Sequence, residues 1–223
     1  MFFRKDYAAP GPGIDPNAPE KTGFARFLEI LQIECATLVK LNLLFLATCL
    51  PVATIPPAIF AMHMVVRKMV LDQPVDCFHD YRTAFKKYWK LAYGAFFVTV
   101  LPLAAGAFGG LFYLRSAMDN PLFLAPFVLC STVFLVTMLA SAYLYGLLSL
   151  GKPLKEAVRR SLLFGVGKPL RAALAALSVY GSLLVAVLEF PLSAIYLLFL
   201  GFSVPCLLGN FFMRTVLKQY FEV

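Results

Sequence analysis

Apolar positions in this chain gather into long blocks, and the polar positions fall between them. From Gly23 a helical rhythm begins, with Phe24, Phe27, Leu28 and Leu31 on one stripe and Arg26, Glu29 and Glu34 off it. It runs into a charge-poor block over Leu31–Leu50, and further blocks follow at Ile59–Val70, Leu91–Leu114, Pro121–Leu148, Pro169–Leu188 and Leu192–Phe212. A helix rises about 1.5 Å per residue, so about 20 mostly apolar residues cross the hydrocarbon layer. The pattern predicts an all-α, polytopic transmembrane bundle of about six spans over residues 23–223, the second span being short. Residues 1–22 hold four prolines, two glycines and six charges, which predicts an irregular N-terminal tail. Pro51 and the Pro56-Pro57 pair predict a tight turn between the first two spans, since proline removes a helix hydrogen bond and crowds the preceding turn.

Composition sharpens this reading. Of 223 residues, 61% are hydrophobic and 14% charged, with mean hydropathy +0.79, whereas a soluble domain is about 45–50% apolar and about 25% charged. Met1–Lys21 has no apolar core ahead of a small-residue cleavage site, so the first span is expected to direct insertion. All but Arg115 and Lys40 of the 20 Lys and Arg residues fall on one side of the six-span arrangement. Lys/Arg-rich loops stay cytoplasmic, which predicts both termini inside and the Pro51–Pro57 turn outside. The net charge of +8 is a topology signal, and nucleic acid is not an expected partner because the cations are used up flanking spans.

Two cytoplasmic stretches stand out. Asp76–Lys90 sets Phe78, Tyr81, Phe85, Tyr88 and Trp89 on one helical face, with Arg82, Lys86, Lys87 and Lys90 largely off it. Such a helix suits the headgroup layer of anionic lipids, and a docking surface for a cytoplasmic partner is the sharper alternative. Lys152–Gly165 predicts a second interfacial helix, with Glu156 placed to pair with Arg159 or Arg160. Glu156-Ala157 resembles the start of the Glu-Ala-Ala-x-x-x-Gly helix that importer permeases insert into their ATPase, but Val158 and Leu162 depart from that signature.

Ionisable or polar side chains inside apolar helices are costly and hence candidates for function. Lys40, Asn42, Thr54 and His63 form the candidate intramembrane polar site, with Lys40 either stretching its ammonium to the interface or lining a cavity. The five cysteines (Cys35, Cys49, Cys77, Cys130, Cys206) are scattered, and Cys77-x-His79 is the nearest approach to a ligand pair, so neither a disulfide framework nor a metal site is expected. Gly-x-Ser-x-Gly, P-loop and His-Glu-x-x-His motifs are missing, and the chain is expected to have no cofactor and no enzymatic activity.

The runs Leu41-Asn42-Leu43-Leu44-Phe45-Leu46, Cys49-Leu50-Pro51-Val52-Ala53-Thr54-Ile55, Asp80-Tyr81 and Phe85-Lys86-Lys87-Tyr88-Trp89-Lys90 resemble the YesL-like family of small bacterial membrane proteins, over roughly residues 10–92. Pro56-Pro57 stands where that family usually has glycine, and Tyr88 replaces the usual asparagine. The resemblance implies a bacterial cytoplasmic-membrane protein of uncharacterised biochemistry, whose relatives are often encoded near carbohydrate ATP-driven (ABC) importers and sensor kinases. The leading expectation is an accessory or regulatory partner of such an importer, acting through the two basic helices. A small-solute transporter or channel is the alternative.

Overall fold

The apolar blocks become helices that are shorter and more often broken than hydropathy alone implies. A computed structural model describes residues 23–221, with side chains as far as Arg214. The tail expected over residues 1–22 lies outside the described residues. Among those described there is no strand, and eleven α-helices follow in order: α1 (Phe24–Ile33), α2 (Cys35–Cys49), α3 (Ile55–Val70), α4 (Cys77–Lys87), α5 (Trp89–Asp119), α6 (Leu124–Ser149), α7 (Leu154–Gly167), α8 (Pro169–Ala176), α9 (Ser182–Leu188), α10 (Ala194–Phe199) and α11 (Ser203–Phe221). A π-helical segment, Leu177–Gly181, joins α8 to α9.

Among the described residues three segments are long and apolar enough to cross a membrane, Trp89–Asp119, Pro121–Ser149 and Pro169–Leu188, and α1 with α2 makes a fourth only if their 72° bend lies within one span. By length and composition the described helices thus supply three or four candidate spans where about six were expected. The second expected span starts earlier than its apolar block because Pro56 and Pro57 sit in the first turn of α3, where a missing N–H costs nothing. The sixth expected span is split between α10 and α11. Gly201 fits that split because a Cβ there would lie 2.5 Å from the Leu197 Cα.

The α2–α3 hairpin differs most from the expected layout. Helices of 15 and 16 residues reach only about 24 Å, short of the ~30 Å hydrocarbon layer. The Tyr93 hydroxyl on α5 donates to the Ala53 carbonyl in the hairpin turn. Thr54, Pro57, Lys86 and Trp89 line one cavity at this point. The turn expected on the opposite side of the bilayer from Lys86–Lys90 thus lies against that cationic end of α5.

Two packed cores result. One joins α1 to α4 with α11 through Leu38, Leu41, Val65, Val66, Tyr81 and Leu207. The other joins α3, α5, α6, α7 and α8 through Phe60, Ala92, Tyr143, Leu147, Ala157 and Ala172. Helix α6 is divided along its length: its buried residues all lie within Ala140–Ser149, and its first half is in contact mainly with α5 and with the surroundings. Helix α7 folds back on the buried half, close enough that a Cβ on Gly165 would meet the Ala140 nitrogen at 3.1 Å. At the ends of α3 and α11, Asp72, held at φ 57°, accepts from Arg26 at 2.6 Å and Arg214 at 2.9 Å. That turn residue therefore ties α1 to α11.

The outer half of the α5–α6 hairpin depends on small residues that let two backbones approach. A Cβ on Gly106 would meet the Phe134 Cβ at 2.8 Å and the Cys130 carbonyl at 3.0 Å. Gly106→Ala is expected to destabilise the protein by about 1–3 kcal/mol through overpacking, read as a lower melting temperature in detergent. Gly167→Ala, with nothing within 4 Å, is the control and leaves the melting temperature unchanged or higher.

Candidate functional site

Residues 40 and 42 of α2 lie two positions apart, and side chains at that spacing point to different faces of a helix. Asn42 is fully buried and faces the split between α10 and α11, whereas Lys40 is exposed on the other side. The Asn42 Nδ2 donates to the Leu197 and Leu198 carbonyls, both at 2.8 Å, and its Oδ1 accepts from the N–H groups of Phe202 at 2.9 Å and Ser203 at 3.1 Å. An amide has two donors and two acceptor lone pairs, and all four are used. Asn42 therefore closes the carbonyls ending α10 and the amides opening α11.

Thr54 is a fastener of the hairpin turn. Its hydroxyl donates to the Thr48 carbonyl and, at 2.6 Å, to the Pro51 carbonyl. His63 sits apart from both, deep against α11 and α6. Its Nδ1 accepts from the Asn210 Nδ2 at 3.0 Å, which puts the proton of a neutral ring on Nε2, and the ring stacks on Tyr145 with centroids 4.9 Å apart. The four residues grouped by sequence are thus distributed over four places.

What gathers around His63 is a different set. A cavity of about 220 Å³ is bordered by His63, Thr99, Ser141, Tyr145 and Tyr180 within otherwise apolar walls. The Ser141 and Tyr180 hydroxyls are 2.8 Å apart, and Thr99 donates to the Ala95 carbonyl at 3.0 Å. Tyr180 belongs to the π-helical segment, a local irregularity that recurs at functional sites. Asn210 also donates to the Cys206 carbonyl at 2.8 Å, while its Oδ1 is buried with no hydrogen-bond partner among the described residues. Asn210, Tyr145 and Tyr180 are not among the candidates that the sequence pattern singles out. A polar residue in an apolar run, Asn210 in particular, carries the same signal as Asn42.

On the cationic side, α4 ends at Lys87, the chain turns at Tyr88, and Trp89 and Lys90 open α5. The aromatic face turns partly inward: Tyr81 is buried with its hydroxyl 2.6 Å from the Thr48 Oγ1, Phe85 is half-buried, and only Phe78 and Trp89 are exposed. Burial raises the Tyr81 hydroxyl and pushes the Cys77 thiol up to about 11, so both are neutral at physiological pH. Arg82, Lys86, Lys87 and Lys90 are all exposed, Lys87 lying over the Tyr88 ring and Lys90 over Trp89. On α7, Glu156 pairs with Arg160 at 2.7 Å, and Arg159 is exposed. Among the described residues no group of three or more His, Cys, Asp or Glu could hold a metal ion.

Fold and site together define a helical membrane protein whose internal polar groups mostly serve its own broken helices. Residues 38–108 match the family described as protein of unknown function, DUF624. The YesL-like proteins are that family, so the resemblance carried by Leu41–Ile55 and Asp80–Lys90 holds over this segment. No curated protein matches the chain. No solved structure matches it either.

The Asn42 arrangement gives a direct test. Asn42→Ala leaves two carbonyls and two N–H groups without partners in an apolar setting, each costing about 1–3 kcal/mol. The variant is expected to accumulate poorly and to melt well below the parent, while Thr54→Val, which frees no buried N–H, shifts the melting temperature only slightly.

Proposed function

We propose that this protein is an accessory or regulatory component of the bacterial cytoplasmic membrane that works through its cationic face, with the subunits of a carbohydrate ABC importer as the partner class. The supporting observation is the disposition of α4. Its apolar side is used inside the fold, whereas Arg82, Lys86, Lys87 and Lys90 stand exposed and take part in no ion pair among the described residues. Four exposed cations at one end of a long apolar helix suit an anionic lipid surface and an acidic protein surface equally. Replacing Lys86, Lys87 and Lys90 together with glutamine separates the two. Loss of co-purifying importer subunits at unchanged membrane levels is the expected result, and loss of membrane assembly with the partner retained would reduce the helix to an anchor.

The arrangement that fits this reading has four crossings, formed by α5, α6, α8 with α9, and α10 with α11, and both termini in the cytoplasm. The last pair must return across the bilayer, because Ser178 of the π segment meets the Pro205 carbonyl near the start of α11, while Arg214 further along α11 reaches Asp72 on the cationic side. The α2–α3 hairpin then enters and leaves on that same side. Cysteines introduced singly, after removal of the five native ones, test this with an impermeant thiol reagent. Val52→Cys and Lys86→Cys are expected to be shielded from outside and Met118→Cys to be labelled, whereas labelling of Val52→Cys together with Met118→Cys restores six spans.

A small-solute transporter is the second reading, favoured by the split α10–α11 pair and the His63 cavity, since discontinuous helices and midplane polar groups mark transporter sites. A solute that raises the melting temperature of the parent but not of His63→Leu would put it first.

A further inference from the structure

The groove between α2 and the start of α4 sets one positive and one negative side chain on an apolar wall. It measures about 750 Å³, is open to the surroundings, and is bordered by Lys40, Leu43, Leu44, Ala47, Asp76 and Phe78. Lys40 is exposed and makes no ion pair among the described residues. An ammonium on the outer face of an apolar helix is costly against lipid tails unless it reaches the interface or a counter-charge. Asp76 leaves one carboxylate oxygen available, because Oδ1 caps α4 by accepting from the His79 N–H at 3.0 Å.

Neighbouring charges narrow the choice of ligand. Asp80 is already held by Lys68 at 2.7 Å and by the Asp76 N–H at 3.1 Å. The charged side chains left on the groove wall are therefore Lys40 and Asp76, one cation and one carboxylate. A headgroup that is only negative would be attracted to Lys40 and repelled by Asp76. A headgroup carrying a phosphodiester and a primary amine matches both signs, and its acyl chain has Leu43, Leu44, Ala47 and Phe78 to lie against.

We propose that this groove binds one glycerophospholipid with an ethanolamine-type headgroup, its phosphate at Lys40, its ammonium at Asp76 and one chain along α2. This site is independent of the importer reading, since it involves neither Lys86–Lys90 nor a protein partner. It makes Lys40 and Asp76 a recognition pair for headgroup type, where either alone would only sense charge.

Full-length protein in a mild detergent, titrated separately with phosphatidylethanolamine, phosphatidylglycerol and phosphatidylcholine and followed by native mass spectrometry, tests it. One phosphatidylethanolamine per chain should be retained about fivefold more readily than either of the others, the effect of one exposed ion pair. Asp76→Asn keeps an oxygen to cap α4, so the helix stays and only the headgroup preference should vanish. Lys40→Met should lower retention of all three lipids, and Lys40→Arg should restore it, with melting temperatures close to the parent's throughout. Equal retention of the three lipids, a preference for phosphatidylglycerol, or a phosphatidylethanolamine preference that survives Asp76→Asn would each overturn the proposal.

Discussion

Backbone N–H and C=O groups inside a bilayer have no water to bond, so every helix end placed there needs a protein partner. This chain ends helices often, at Glu34, at Leu50, at Tyr88 and between Phe199 and Ser203. The last of these is the most demanding, because it leaves two carbonyls and two amides facing each other across a short gap. One side chain, Asn42 of α2, reaches all four. The arrangement of α2 against α10 and α11 follows from that reach, and Phe45, its ring tilted against Phe202 with centroids 5.0 Å apart, fills the space beside it.

The same constraint accounts for the small hydroxyl residues along the long helices. Thr99 and Thr132 return their protons to carbonyls three or four residues back, so that polar atoms can sit in apolar helices without a partner from another segment, and Ser141 and Ser178 do the same while also meeting Tyr180 and the Pro205 carbonyl. Pro102 within α5 removes one backbone donor, and Thr99 lies a single turn before it. The cavity beside His63 lies where such self-satisfied residues from α5, α6 and the π segment face one another. Its polarity is thus assembled largely from groups that already have one bond, Thr99, Ser141, Tyr180 and the His63 Nδ1.

Much of this was legible in the residues. The apolar blocks at Leu91–Leu114, Pro121–Leu148 and Pro169–Leu188 match the three long segments closely, since a run of that length with few charges has no other stable form in a helical protein. The Glu156–Arg160 pair follows from a four-residue spacing. The fate of Leu31–Val70 was not legible, because hydropathy measures length along the chain and not tilt, and the same leucines serve a helix that crosses and one that lies across the ends of others. Nor does spacing reveal which polar residues meet. Asn42 and His63 are twenty-one residues apart and point to different parts of α11, one to its first amides and the other to Asn210.

Lys40 shows how far the sign of a charge depends on what surrounds it. On a helix wheel it is the odd residue of α2, and a cation alone would read as attraction to any phosphate. Packing brings the start of α4 beside it, with Asp76 fixed in place by its capping bond to His79, so the carboxylate cannot swing away. Asp80, one turn further on, is neutralised by Lys68 and also accepts the Asp76 N–H, which holds the first turn of α4 rigid. The charge pattern offered to the surroundings is therefore set by helix capping as much as by composition. A cation from one helix and a cap from another make a dipolar groove that neither segment carries alone, and a dipolar headgroup is the membrane component that fits it without leaving a charge unmatched.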